Sequence, residues 1–105
     1  MSSGNRTVII TGAAGNLGKA VAGAFADVGA NLVLVDLKRE SLEKAFGSEN
    51  ERRSFAPANL LDMTEAARIA DVALARFGRI DVLCNNAGVL RFQDMFDITE
   101  ADWDF

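Results

Sequence analysis

The chain has little of what would mark it for several large classes of protein. It holds one cysteine in 105 residues, so it contains no disulfide framework. Cys84 lies in the apolar run 80–84 and reads as a small buried hydrophobe rather than a reactive thiol. No apolar run approaches the roughly 18 residues of a membrane span. The polar start MSSGNRT lacks the apolar segment of a secretory signal, which predicts a cytoplasmic location. Lys and Arg cluster no further than Lys38-Arg39 and Arg52-Arg53, and the net charge is −4. Nucleic acid and anionic membrane surfaces are therefore not expected as partners. Tyrosine is absent altogether.

What is present suits one soluble domain: half the residues are apolar and a quarter are charged. Runs rich in Val, Ile and Leu alternate with stretches of helical period. Residues 8–10, 32–35 and 80–83 lack polar alternation, as strands covered on both faces do, and 53–58 is a weaker strand. Leu17, Ala20, Val21, Ala24, Phe25 and Val28 recur at three-and-four spacing and predict one helix face, with Gly29 at the C-terminal cap. A shorter helix is expected over 38–46. A third runs over 62–76, with Asp62 and Glu65 as an N-cap pair, Ala66, Ile69, Ala70 and Ala73 as the apolar stripe and Gly78 at the end. Residues 47–53, GSENERR, read as a solvated loop. Strand alternating with helix implies right-handed crossovers and an α/β fold with a parallel sheet.

The stretch TVIITGAAGNLGKAVAGAF joins a strand to a helix through Gly12, Gly15 and Gly18. Glycine there permits positive φ, lets a pyrophosphate approach the backbone and lets helix and strand pack closely. The free N–H groups of the helix start, at Asn16, Leu17 and Gly18, then face the anion. That makes a dinucleotide site; the competing reading is a tight turn alone. Asp36 closes the second strand, 18 residues past Gly18. A carboxylate there accepts hydrogen bonds from the adenosine ribose and repels a 2′-phosphate, so NAD is preferred to NADP. Against this, Asp36 could simply begin a turn, and Arg39 could serve a 2′-phosphate.

Four features in order, TGAAGNLG, Asp36 after NLVLV, NLLD and FGRIDVLCNNAG, resemble the short-chain dehydrogenases/reductases (SDR family), and the resemblance spans essentially the whole chain. It implies the first half of a doubly wound Rossmann sheet with strand order 3-2-1-4. It also implies an adenine pocket at Asn59 and Leu60, and a nicotinamide ribose lined by Asn86, Ala87 and Gly88; Asn85 would tie the fourth strand to its neighbours. No metal is implied. The glycine spacing, with Asn16 where single-domain members carry glycine, is that of larger epimerase-type members, whereas NNAG is that of the single-domain ones.

The family's chemistry uses a Tyr with a Lys four residues later, a Ser and an Asn. This chain has no Tyr, and every Lys and Ser lies before Phe55. No catalytic residue is assigned. Ile98, Thr99, Asp102 and Trp103 have the pattern of a helix start. The expectation is the cofactor half of a longer NAD-dependent oxidoreductase; the alternative is a stand-alone dinucleotide-binding module. A methyltransferase-type α/β domain would leave NNAG unexplained. The run 80–85 as an open sheet edge, with apolar surface around Met95, Phe96 and Trp103, predicts a homo-oligomer unless 89–105 folds back over it.

Overall fold

The computed structural model describes residues 5–86. Along the chain come β1 (Thr7–Thr11), α1 (Asn16–Asp27), β2 (Asn31–Val35), α2 (Arg39–Phe46), β3 (Arg53–Phe55), α3 (Met63–Phe77) and β4 (Val82–Asn85). The strands form one sheet in the order β3-β2-β1-β4, and every pairing is parallel. Thr11 stands opposite Val35 on one side and Asn85 on the other, so β1, β2 and β4 end together.

The twofold alternation of a strand explains the two cores. Val8, Ile10, Leu32 and Leu34 face α1 and α2, where they meet Ala22 and Leu42. Ile9, Val33 and Val35 face α3, where they meet Ala66, Ile69 and Ala73. Apolar residues at consecutive strand positions are thus covered on both faces, which is why the runs show no polar alternation. Cys84 packs against the first of these cores, and burial pushes its thiol up.

Helix α1 departs from its expected face. Gly18 and Ala22 are buried, with Val21 and Phe25 packed against them, while Leu17 is 66% and Val28 72% exposed. Ala20 and Ala24 are exposed as well. The stripe nearest the sheet must admit backbone rather than bulk, so small residues occupy it and the largest apolar ones lie off it.

Strand β4 begins two residues later than expected. Asp81, still outside the strand, accepts the Thr7 N–H on its carboxylate at 2.9 Å and donates its own N–H to the Thr7 carbonyl at 2.9 Å. Strand β3 stops at Phe55, yet Ala56 and Ala58 N–H groups still bond to the carbonyls of Leu34 and Asp36, both at 2.9 Å. Pro57 lies between them, where its missing donor falls on the outer side of this edge strand.

The cap of α3 is as expected in residue but not in partner. Asp62 accepts the Thr64 N–H at 2.9 Å, and Glu65 reaches past Asp62 to the N–H of Asn59 at 3.2 Å. Gly78 closes the helix at φ 76°, and Gly29 follows α1 at φ 83°. The 47–53 loop is more ordered than its polarity suggests. Glu49 accepts the Phe55 N–H at 2.9 Å and the Arg39 guanidinium at 2.6 Å, which joins α2 to β3. The expected helix start at Ile98 to Trp103, and Met95 and Phe96, lie outside the described residues.

Candidate functional site

The three glycines divide the work of the turn. Gly12 takes φ 62°, in the left-handed region that a side chain disfavours. Gly18 is held against that turn: a Cβ on it would fall 2.2 Å from the Gly12 carbonyl oxygen and 2.7 Å from Ala13 Cα. Gly15 has an ordinary extended backbone at φ −76°, and a Cβ there would meet only the Gly12 oxygen, at 3.5 Å. It is exposed, so its contribution is an unobstructed approach. No side chain caps α1 and no acidic residue occupies its first turn. The N–H groups of Asn16, Leu17 and Gly18 fall where a helix has no acceptors of its own, at the positive end of its dipole. This donor set suits a phosphate bridge.

Asp36 sits directly beside this turn. Its Oδ2 accepts the Ala14 N–H at 3.0 Å and its Oδ1 the Leu37 N–H at 2.9 Å, while Ala13 donates to the Val35 carbonyl at 3.0 Å. Each carboxylate oxygen keeps lone-pair capacity for a further donor. A cleft of about 550 Å³ opens there, lined by Ala14, Gly15, Lys19, Asp36, Ser41 and Lys44.

Arg39 is turned elsewhere. Its guanidinium bonds Glu43 at 3.2 Å and Glu49 at 2.6 Å and lies 5.5 Å from the centre of the Phe55 ring. The Phe55 N–H and then Arg39 hold the Glu49 carboxyl below its ordinary range.

On the next strand end, Asn59 is exposed and folded on itself, its Oδ1 accepting the Leu61 N–H at 3.0 Å. Leu60 packs its side chain into the α3-side core. Arg68 braces this loop from α3 by bonding both Glu65 and the Pro57 carbonyl. Across β1, the Thr11 hydroxyl donates to Asn85 Oδ1 at 2.8 Å, so Asn85 is tied to β1 by its side chain as well as by the ladder. Asn86 follows with its Nδ2 buried and without a hydrogen-bond partner among the described residues. Ala87 and Gly88 lie outside the described residues.

The glycine turn, Asp36 and Asn86 therefore meet at the carboxyl ends of β2, β1 and β4, where the strand order reverses direction, the usual crevice of an open α/β sheet. Sequence reasoning passed over Lys19, Ser41 and Lys44. Ser41, Lys44 and Ala45 share one helix face by their spacing, which was the available signal. The Arg68 and Thr11 contacts left no such local trace.

A short chain dehydrogenase family model matches residues 6–105. The chain belongs to this family. Among its relatives is D-threitol dehydrogenase of Mycolicibacterium smegmatis, 37% identical over 94% of this chain and 39% of that protein. The chain spans about two fifths of that relative's length. Among solved structures, a short-chain dehydrogenase/reductase described as glucose/ribitol dehydrogenase from Brucella melitensis superposes with TM-score 0.69 at 42% identity, over 75% of this chain and 34% of its own. One from Burkholderia phymatum in complex with NAD gives TM-score 0.69 at 25% identity, over 79% and 31%. The parallel sheet and flanking helices of this chain are the α/β Rossmann arrangement that the motifs imply. Among the described residues no helix is long and apolar enough to cross a membrane.

Proposed function

We propose that this chain is the NAD(H)-holding part of an oxidoreductase that moves a hydride between nicotinamide and a carbonyl or alcohol. The observation that carries the reading is the uncapped start of α1 behind Gly12 and Gly18, with Asp36 hydrogen-bonded to the same turn. The pyrophosphate would lie on the N–H groups of Asn16, Leu17 and Gly18, with Gly15 leaving the approach open. The adenosine ribose would bond Asp36, the adenine would meet Asn59 and the Leu60 backbone, and Asn86, Ala87 and Gly88 would border the nicotinamide ribose. When bound, NAD supplies the hydride-accepting carbon; these residues bind and orient it. The family relative solved with NAD supports a dinucleotide here. NAD is favoured over NADP because Asp36 opposes a 2′-phosphate and Arg39 is engaged with Glu43 and Glu49.

The 105 residues contain no Tyr, so they assign no proton donor, and no turnover is expected from them alone. Strand β4 ends the sheet among the described residues, with Val82, Leu83 and Cys84 half-buried. That supports self-association, which sedimentation at micromolar concentration reads directly. Calorimetric titration tests the main reading. NAD should bind more tightly than NADP; tighter binding of NADP, or binding of neither by folded protein, would overturn it.

A further inference from the structure

A second cleft, of about 370 Å³, opens at the end of β2 opposite to Asp36. That volume falls in the range of small-molecule sites. Ala26 near the end of α1, with Ala30 and Leu32 before and in β2, forms an apolar wall, and Ala30 and Leu32 are each only 4% exposed. The other wall is the turn that leads into β3, from Asn50 to Arg53.

This turn is fixed without a ligand. The backbones of Asn50 and Arg53 exchange hydrogen bonds at 2.9 and 3.2 Å, Asn50 Oδ1 accepts the Arg52 N–H at 2.9 Å, and the Arg52 carbonyl accepts the Leu32 N–H at 2.8 Å. Its two guanidinium groups are anchored by neutral carbonyls alone. Arg52 donates from Nη1 to the Gly29 carbonyl at 2.6 Å, which leaves its Nε–Nη2 edge unused. Arg53 places Nε and Nη2 on the Ser48 carbonyl at 3.0 and 2.7 Å, which leaves Nη1 unused. Neither pairs with a carboxylate among the described residues, whereas Arg39, Arg68, Arg76 and Arg79 all do.

An open guanidinium edge with two parallel N–H groups matches a carboxylate. Two guanidinium groups stand against the one carboxylate of Glu51 in the lining, so the cleft favours a single negative charge over the two of a phosphate monoester. The apolar wall calls for a hydrocarbon body on the same ligand. We propose that this cleft binds a small carboxylic acid, its carboxylate on the free edge of Arg52, with Arg53 as the second cation and its apolar body against Ala30 and Leu32. The site lies away from the glycine turn and does not depend on the dinucleotide reading.

The test is titration with sodium hexanoate at low ionic strength, read by amide chemical shifts, each variant first checked for a native circular dichroism spectrum and melt. Saturable shifts should appear at Ala26, Ala30, Leu32 and residues 50–53. Hexanol and inorganic phosphate should each bind about tenfold or more weakly, as the loss of charge-assisted hydrogen bonds or of apolar contact implies. Arg52→Gln should weaken hexanoate by a similar factor, and Arg52→Lys nearly as much, because an ammonium group keeps the charge but not the paired N–H groups. Arg52 also holds the chain after α1 through Gly29, so Ala26→Trp, which fills the cleft and leaves every cation in place, is the second variant and should abolish the shifts. It decides the matter if Arg52→Gln fails to fold. Excess NAD should leave the hexanoate affinity within about twofold. Absence of saturable shifts, phosphate binding as tightly as hexanoate, competition by NAD, or unchanged affinity in folded Arg52→Gln or Ala26→Trp would each overturn the site.

Discussion

Asp36 Oδ2 accepts the backbone N–H of Ala14 at 3.0 Å, so the acidic end of β2 is also a strut of the glycine turn. The residue that would read the ribose shapes the loop that would carry the phosphates before any ligand arrives.

Two readouts should therefore move together on Asp36→Ala. NAD affinity should fall by about 1–3 kcal/mol, the range for hydrogen bonds to a charged group, and the ratio of NADP to NAD affinity should rise. In the ligand-free protein the Ala14 amide should exchange with solvent faster, a change absent if Asp36 contacted ligand alone. Unaltered protection at Ala14 would show that the strut has no role in solution.

Glycine substitutions within one helix should have opposite signs. Gly18→Ala places a methyl 2.2 Å from the Gly12 oxygen, and backbone must shift to admit it. Overpacking of this kind typically costs about 1–3 kcal/mol. Gly23→Ala meets nothing within 4 Å and should stabilise by roughly 0.5–1 kcal/mol through helix propensity. Urea midpoints of the two variants on either side of wild type would agree with this packing; the same sign for both would not.

Acid should loosen the α2–β3 junction through Glu49. Its pKa is lowered in the fold by the Phe55 N–H first and Arg39 next. A depressed carboxyl stabilises the fold above its ordinary value of 4.5, and that contribution disappears as pH falls through the lowered folded value. Glu49→Gln should be less stable than wild type at pH 7, with the gap closing below about pH 4. Urea titrations at the two pH values measure it, and a gap independent of pH would exclude a role for the charge.

The buried stripe of α1 can be checked by exchanging bulk between faces. Ala22→Leu should cost about 1–3 kcal/mol, since Ala22 is 1% exposed. Leu17→Ala should stay within about 0.5 kcal/mol in stability, as surface substitutions usually do. Thermal melts of equal size for both would mean that the helix is rotated relative to this packing.

That stripe also shows where the sequence was legible and where it was not. Gly12 and Gly18, the Asp62 cap and Gly78 could be read in advance because their conformations are set by neighbours a few residues away. The strand order followed from alternating periods together with the family resemblance. The inner face of α1 differs from the expected one because the three-and-four spacing from Leu17 marks Ala20, Ala24 and Val28, whereas Gly18 against the turn and Ala22 in the core are the buried positions. Ile80 looked like strand but precedes it, since Asp81 makes the first contacts with Thr7. Arg39 seemed available to a ligand until Glu49, from a loop that looked merely solvated, was found to hold it. Asn59 and Leu60 fall at the expected strand end, but Leu60 turns its side chain inward, a matter of tertiary packing that no local pattern records.

The central place of β1 should give the two halves of the crevice different opening free energies. The contact from Ala14 to Asp36 closes a span of 22 residues, and that from Thr7 to Asp81 a span of 74. Loop entropy alone makes the longer closure costlier by about 1 kcal/mol. Strand β4, paired on one side among the described residues, should thus detach in a partial opening that leaves β1, β2 and the glycine turn assembled. Native-state exchange would then show β4 amides reporting a smaller opening free energy than those β1 and β2 share. A dinucleotide bound as proposed would then loosen first at its nicotinamide end, while its adenosine end stays anchored.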